Sequence, residues 1–410
     1  MKKIFISLLV LSNLAFAQTN VDRLKKDIVY LSSDKLEGRY PGTKHELKAA
    51  KYIANSFKKS GLIPMGDNAT YLQKFAFKTS TNPHATEEQM EMKGYAHNVI
   101  GFLNNDAAYT IVIGAHYDHL GVGTGGNSLD ANPSNKIHNG ADDNASGTAG
   151  LMELARYYSS NSIKESYNFL FIAFSAEEEG LLGSKYFTNN PSISIDKMNF
   201  MINMDMIGRL NTSTNRIVIS GVGTSPSIGK VLLANEENEI KYKADSAGMG
   251  PSDHSSFYLK NIPALHFYTG THSDYHKPSD DADKINFDGE AKVLNFIIKI
   301  IDDLSKEQKL QFTSTKLNNN ASSNVSFKVT LGVIPDYAFD GKGLRLDGVS
   351  ENKPAQKAGL KQGDIIISMG SIGIENIQDY MKALSKFEKG QTTTCKILRD
   401  GMEMNIDVTF

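Results

Sequence analysis

Apolar residues in this chain fall into two spacings. Short unbroken runs, Tyr109 to Ala115 (Y-T-I-V-I-G-A) and Asn168 to Phe174 (N-F-L-F-I-A-F), are rich in β-branched and aromatic residues and have the length of buried parallel strands. Leu72 to Phe77, Phe200 to Met204, Arg216 to Ser220 and Ile262 to Phe267 read as further strands. Helical spacing separates them. Thr43 and Glu46 have capping-box spacing, and Ala49, Ala50, Ile53 and Phe57 follow until Gly61, so the mature chain is expected to open with this amphipathic helix. Ser146 to Tyr158 puts Leu151, Leu154, Ala155 and Tyr158 on one face, and Leu181 to Phe187, Ile228 to Asn235 and Gly289 to Leu304 continue the alternation. Strands alternating with helices predict an α/β fold, a three-layer α/β/α domain on a mixed, mostly parallel sheet.

With 410 residues, two domains are expected. Lys2-Lys3, the apolar run from Ile4 to Leu14 and Ala15-Phe16-Ala17 read as a signal peptide over residues 1–17. The run is too short to span a bilayer, and the mature protein has no other candidate span. It is therefore expected in the periplasm or outside the cell. Lys, Gln, Ser, Thr and Asn dominate residues 306–324, a linker between a domain over 18–305 and a small α+β module over 325–410 with short strands and a helix from Ile377 to Ser385. A net charge of −2 gives no basis for nucleic-acid binding. The single Cys395 excludes an intramolecular disulfide and any cysteine-built zinc site.

Polar residues appear abruptly where the apolar runs end, and the carboxyl ends of strands are where α/β proteins place their sites. His116-Tyr117-Asp118-His119, Asp142-Asp143-Asn144, Glu177-Glu178-Glu179, Asn203-Met204-Asp205 and Asp274-Tyr275-His276 come in this order. Two histidines and three carboxylates suffice for a pair of metal ions, and nitrogen and oxygen donors without cysteine suit zinc or, less selectively, manganese or cobalt. His116 is expected as a ligand oriented by Asp118. Asp143 can bridge through its two oxygens, Glu178 and Asp205 each serve one ion, and His276 completes the second. Asp142 is expected just outside the ligand set. Glu177, beside a ligand, is the natural general base for a water held there, and Tyr275 is placed to donate to a tetrahedral oxyanion.

Each signal also has a plainer reading. Glu177 to Glu179 suits the acidic first turn of a helix, and Asp142-Asp143 suits a helix cap. His119, His138 and His254 are expected behind the ligands or at the rim, as ordinary structural histidines. Glu37 and Arg39 read equally as an exposed ion pair or a structural clamp. The long loop from Gly121 to Gly140 is expected to shape the mouth of the site. Singly these signals are weak; five in order at strand ends carry the metallohydrolase reading.

Ala115 to Asp118, Asn139 to Gly147, Ala176 to Leu181, Asn203 to Gly208 and Tyr275 to Asp280 resemble the motifs of the co-catalytic di-zinc aminopeptidases. That family includes secreted bacterial leucyl aminopeptidases and, more distantly, glutamate carboxypeptidase and glutaminyl cyclases. The resemblance implies two zinc ions per chain on His116, Asp143, Glu178, Asp205 and His276, with Asp143 bridging and Glu177 as base. It further implies a cis peptide at Asp143-Asn144, and N-terminal residues of peptides or proteins as substrate. The chain lacks the disulfide near the site and the long inserted protease-associated domain of some relatives. The C-terminal module resembles a bacterial PDZ domain through Leu331-Gly332-Val333 and through Ala355 to Asp364 followed by Ile365-Ile366. This implies that Leu331, Gly332 and Val333 form a loop that captures a peptide's C-terminal carboxylate, unless the module merely packs on its neighbour. A glutaminyl cyclase-like acyltransferase with one zinc, and a non-catalytic PDZ peptide-binding protein, are the competing functions.

Overall fold

The computed structural model describes residues 19–79, 91–123, 127–130, 132–236, 239–315, 329–335, 339, 341–349, 353–375 and 377–410, so the expected signal peptide lies outside the described residues. Nine strands share one sheet: β1 (Ile63–Pro64), β2 (Leu72–Thr79), β3 (Glu91–Leu103), β4 (Thr110–His116), β5 (Asn168–Phe174), β6 (Met198–Met204), β7 (Arg216–Ser220), β8 (Lys241–Ala244) and β9 (Ala264–Tyr268). Their order is β1-β3-β5-β4-β6-β9-β7-β8, with β2 paired to β3. The centre, β5-β4-β6-β9, is parallel, while β3 and β7 introduce antiparallel pairings on either side.

The helices are α1 (Val21–Leu31), α2 (Lys44–Lys59), α3 (Gly147–Ser160), α4 (Leu182–Asn189), α5 (Pro226–Ala234), α6 (His254–Tyr258) and α7 (Phe287–Leu304). Ile111, Ile113 and Ala115 of β4 and Phe169, Phe171 and Ala173 of β5 share a core with α1, α2, α3 and α7. The alternate residues, Val112, Leu170, Ile172 and Phe174, pack on the opposite side with Phe187 of α4 and Phe257 of α6. Both faces of the sheet are covered, which is why these strands read as unbroken apolar runs. Each buried aromatic contributes roughly 1.5–3 kcal/mol to holding the layers together.

Two expectations change. Among the described residues the first helix is α1, capped by Asn20, and not α2; Leu24, Ile28 and Leu31 form its buried stripe between charged residues. Thr43 does cap α2 by accepting from the Glu46 N–H at 3.2 Å, but the Glu46 carboxylate does not close the box. It is fully buried and accepts from Tyr117 Oη (2.5 Å), His97 N (2.9 Å) and Ser175 Oγ (3.0 Å), so tertiary partners outcompete the local cap.

Glu290 of α7 is also fully buried, and neither carboxyl oxygen has a hydrogen-bond partner among the described residues. Burial, then neighbouring Asp142, holds its pKa well above the usual carboxylate range. The folded chain thus keeps it protonated, whereas the unfolded chain ionises it near ~4.3. Stability is present below that value and lost as pH rises toward the folded pKa. Glu290→Gln is expected to leave the melting temperature unchanged at about pH 4 and raise it at about pH 8; equal melting at the higher pH would contradict this.

Residues 306–315, where the linker was expected to begin, pack against the first domain. Leu310 is buried with its N–H on Asn199 Oδ1 (2.7 Å), and Thr313 N–H donates to Thr224 O (2.8 Å). The second domain contains β10 (Val333–Pro335), β11 (Leu344–Val349), β12 (Ile365–Met369), β13 (Ile372–Gly373), β14 (Thr392–Arg399) and β15 (Met402–Thr409) with α8 (Pro354–Ala358) and α9 (Ile377–Leu384). The sheet runs β10-β11-β12-β14-β15 with β13 on β12, around a core that includes Leu331, Leu346, Ile366, Ala383 and the buried Cys395. Asp364 is held from two sides, by the Arg399 guanidinium fork at 2.7 and 2.7 Å and by the Lys361 N–H at 2.8 Å. Among the described residues no helix is long and apolar enough to cross a membrane.

Candidate metal centre

Strand ends bring the polar segments together. His116 closes β4, Glu177 and Glu178 lie in the turn after β5, and Asp205 follows β6. Asp143 sits in a helical turn, Ala141–Ser146, that leads into α3, and His276 comes from the segment after β9. Asp143 turns one oxygen to each side. Its Oδ1 is 3.4 Å from His116 Nε2, which is also 3.3 Å from Asp205 Oδ1. Its Oδ2 is 3.2 Å from His276 Nε2, which lies 3.1 Å from Glu178 Oε2. Two donor groups therefore meet at one shared carboxylate.

Secondary contacts aim these side chains. The expected mouth loop braces His276: Asn127 O accepts from its Nδ1 (2.9 Å), and Leu129 N–H donates to its carbonyl (3.0 Å). With Nδ1 donating to a carbonyl, Nε2 keeps its lone pair and faces Asp143 and Glu178, as a ligand nitrogen must. Asp118 lies 3.7 Å from His116 Nδ1, too far for a hydrogen bond. Its carboxylate instead accepts from the Glu177 N–H (3.1 Å) and Glu178 N–H (3.4 Å), tying the end of β4 to the turn that carries these two residues. Asp142 accepts from Gly208 N–H (2.7 Å) and pairs with His272 Nε2 (3.1 Å). Asn144 accepts from Gly147 N–H (2.9 Å) and Met206 N–H (3.1 Å) and donates to Met204 O (3.0 Å), locking α3 to the end of β6. The Asp143–Asn144 peptide bond is cis.

Some functional side chains escape the sequence reading. Asp280, four residues after His276, accepts from the N–H groups of both Asp142 (3.0 Å) and Asp143 (3.1 Å), positioning the shared carboxylate; burial and then Asp142 push its pKa up to about 6. His119 is buried with Nδ1 2.7 Å from Glu178 Oε1, so it reaches the cluster directly. His138 braces the mouth loop through Ser128 Oγ (2.7 Å), and His254 stacks on His266, with both its ring nitrogens unpartnered among the described residues. Arg39 is a clamp: fully buried, it donates to Tyr117 O (2.7 Å), Asn139 O (2.7 Å), Gly140 O (3.1 Å) and Leu31 O. Glu37 is apart from it, exposed and paired with His45 at 3.2 Å. Ala176, Met206 and His276 all hold left-handed backbone, at φ 58, 56 and 54°. For a side chain larger than glycine this costs roughly 1–2 kcal/mol per residue, and such residues cluster at functional sites.

The electrostatics call for a cation. Burial would lower the pKa of His116, yet Asp205 and Glu177 outweigh it and hold the imidazole well above its usual value. Burial likewise opposes charge on His276, and Glu178 and Asp143 overcome it. Glu178 is raised by burial and by Asp143, but His276 and His119 bring it down to about 2. On Glu177 burial wins: His116 opposes it, Asp205 and Glu178 reinforce it, and the carboxyl is held well above the carboxylate range. Imidazoles drawn toward the protonated state by crowded carboxylates are standing in for positive charge, and His116, Asp143 and Asp205 lie close enough together to grip an ion. His119, Asp143 and Glu178 form a second such group, and nitrogen and oxygen donors of this kind suit a metal such as zinc. Glu177, Tyr275 and the ligands open onto a cavity of about 520 Å³.

Residues 98–301 match the sequence model of peptidase family M28, and residues 312–410 that of the PDZ domain. Leucine aminopeptidase 2 of Trichophyton rubrum is 28% identical over 187 residues, 42% of this chain and 36% of the relative, so the match spans little more than a third of that protein. Aminopeptidase YwaD of Bacillus subtilis is 24% identical over 306 residues, 68% of this chain and 63% of the relative. Among solved structures, BSAP, a zinc aminopeptidase from Bacillus subtilis, has a TM-score of 0.55 at 17% identity over 72% of this chain and 96% of that one. Bacteroides thetaiotaomicron glutaminyl cyclase bound to N-acetylhistamine also has 0.55, at 20% identity over 70% and 98%. Identities this low show the shared fold alone. The chain carries a peptidase family M28 domain followed by a PDZ domain.

Proposed function

We propose that this chain is an exported zinc aminopeptidase that removes N-terminal residues from peptides. The observation that carries the reading is Asp143, whose two oxygens face two separate donor groups. His116, Asp143 and Asp205 would hold one ion, and Asp143, Glu178 and His276 the other, with His119 fixing Glu178. Zinc, when bound, supplies Lewis acidity toward the scissile carbonyl and makes water a better nucleophile at neutral pH. Glu177 takes the proton of the attacking water and delivers it to the departing amine. Its raised pKa in a carboxylate-rich pocket matches a group that must both accept and return a proton.

Tyr275 lines the same cavity and stacks on His276 with ring centroids 3.9 Å apart. Burial, then Asp143 and Glu178, hold its phenol pKa well above the ordinary value, so the hydroxyl stays a donor for the oxyanion. Export rests on Lys2-Lys3, the apolar run and Ala15-Phe16-Ala17.

The fold is shared with glutaminyl cyclases, so the donor set has to separate the two chemistries. Two groups sharing Asp143 favour two ions and hydrolysis. The test is turnover of a panel of aminoacyl-nitroanilides by zinc-loaded protein. Cleavage of apolar aminoacyl substrates is expected; no cleavage across the panel with both zincs bound would overturn the reading.

A further inference from the structure

The cavity at the candidate metal centre is lined in part by the PDZ domain. Glu177 and His276 line it from one side, and Thr330, Gly332, Val333 and Lys353 from the other. The domains also touch elsewhere: Lys243 Nζ donates to Phe339 O at 2.7 Å, and a second crevice runs between Ser273 and Lys277 on one side and Gly348 and Gln362 on the other. The turn that shares this cavity is firmly built. Leu331 is fully buried and its carbonyl accepts the Ala355 N–H at 2.8 Å, while Gly332 N–H donates to Thr330 Oγ1 at 3.2 Å. Gly332 has φ +75°, and a Cβ there would lie 2.2 Å from Lys353 Cβ, so the lysine stem lies directly over the turn.

In PDZ domains such a turn is where a peptide's C-terminal carboxylate is captured. Here it shares one space with a centre read as acting at the amino end. A compact 520 Å³ space is about 8 Å across, which an extended chain at ~3.3–3.6 Å per residue crosses in about two to three residues. We propose that one short peptide spans this cavity, its N-terminal residue at the metals and its C-terminal carboxylate against the Thr330–Val333 turn and the Lys353 ammonium. The chain is then selective for free-acid peptides of about two to three residues, with the PDZ domain serving as the far end of a ruler. This rests on the aminopeptidase reading and adds the substrate class.

The test uses the full-length zinc-loaded protein and leucyl-alanine peptides from about two to eight residues, each as free acid and as C-terminal amide, with leucyl-nitroanilide alongside. Expected are a maximum in kcat/KM at the short lengths and a loss of about ten- to hundredfold on amidation, mostly in KM, as for loss of a charge-assisted contact. Lys353→Gln should shrink the acid-over-amide ratio. The same preference should appear calorimetrically as binding to Glu177→Gln, where turnover is suppressed. Nitroanilide turnover with equal rates for acids and amides, or for long and short peptides, would overturn the ruler and leave the aminopeptidase standing. An unchanged ratio in Lys353→Gln would overturn the assignment of the anchor to this turn. No turnover of nitroanilide or any peptide would remove both readings.

Discussion

Glu177→Gln is expected to lower kcat for an apolar aminoacyl-nitroanilide by about 10²–10⁴-fold, the contribution of a positioned general base. Glutamine keeps the shape and the backbone N–H that Asp118 holds at 3.1 Å, so the turn carrying Glu178 should stay in place. What it removes is the ability to take up a proton. The ligand carboxylates and imidazoles are untouched, and zinc content should remain that of the parent. KM should move little, because the loss falls on the transition state. Turnover within tenfold of the parent would contradict the assignment. Loss of zinc in the variant would instead make Glu177 a ligand.

The second large effect concerns stability. Arg39→Ala would take a donor from four buried backbone carbonyls and leave those of Leu31, Tyr117 and Asn139 without it, while Gly140 O keeps the Ala145 N–H at 3.1 Å. Each unsatisfied buried acceptor costs about 1–3 kcal/mol, and the losses overlap, so a destabilisation on the order of 4 kcal/mol is expected. That is a large share of the ~5–15 kcal/mol by which proteins are stable. Burial lowers the Arg39 pKa to about 10, while Asp118 and Asp143 oppose that fall, so the guanidinium stays charged at neutral pH. Arg39→Lys should recover only part of the loss, because an ammonium cannot serve four acceptors in a planar fork. Thermal unfolding and zinc affinity should fall together, since Asn139 and Gly140 lead directly into Asp143. A melting temperature within about 2 °C of the parent would sink the clamp.

The sheet could be read in advance because β4 and β5 bury both faces, which leaves an unbroken apolar signature. The ligand segments stood out for a related reason: polarity breaks sharply where those strands stop. Residues that work through the backbone leave no such trace. Arg39 reaches carbonyls as far as 101 positions away, and any residue type at those positions would offer the same acceptor. Asp280 acts on the N–H groups of Asp142 and Asp143 from 138 and 137 positions away, so only the folded chain shows that it aims the shared carboxylate. Glu46 had the right spacing for a capping box and went elsewhere because a buried carboxylate with three donors is better satisfied than one at a helix end. The placement of Lys353 and the Thr330–Val333 turn against the metal centre depends on how the two domains pack, and no local pattern encodes that.

The most direct test of the central claim is to strip the protein with a chelator and follow leucyl-nitroanilide hydrolysis while zinc is returned in measured equivalents. Two donor groups sharing Asp143 predict that activity climbs until two equivalents are bound per chain and that Asp143→Ala abolishes the climb. A plateau at one equivalent, or full binding of two with no hydrolysis, would contradict the account.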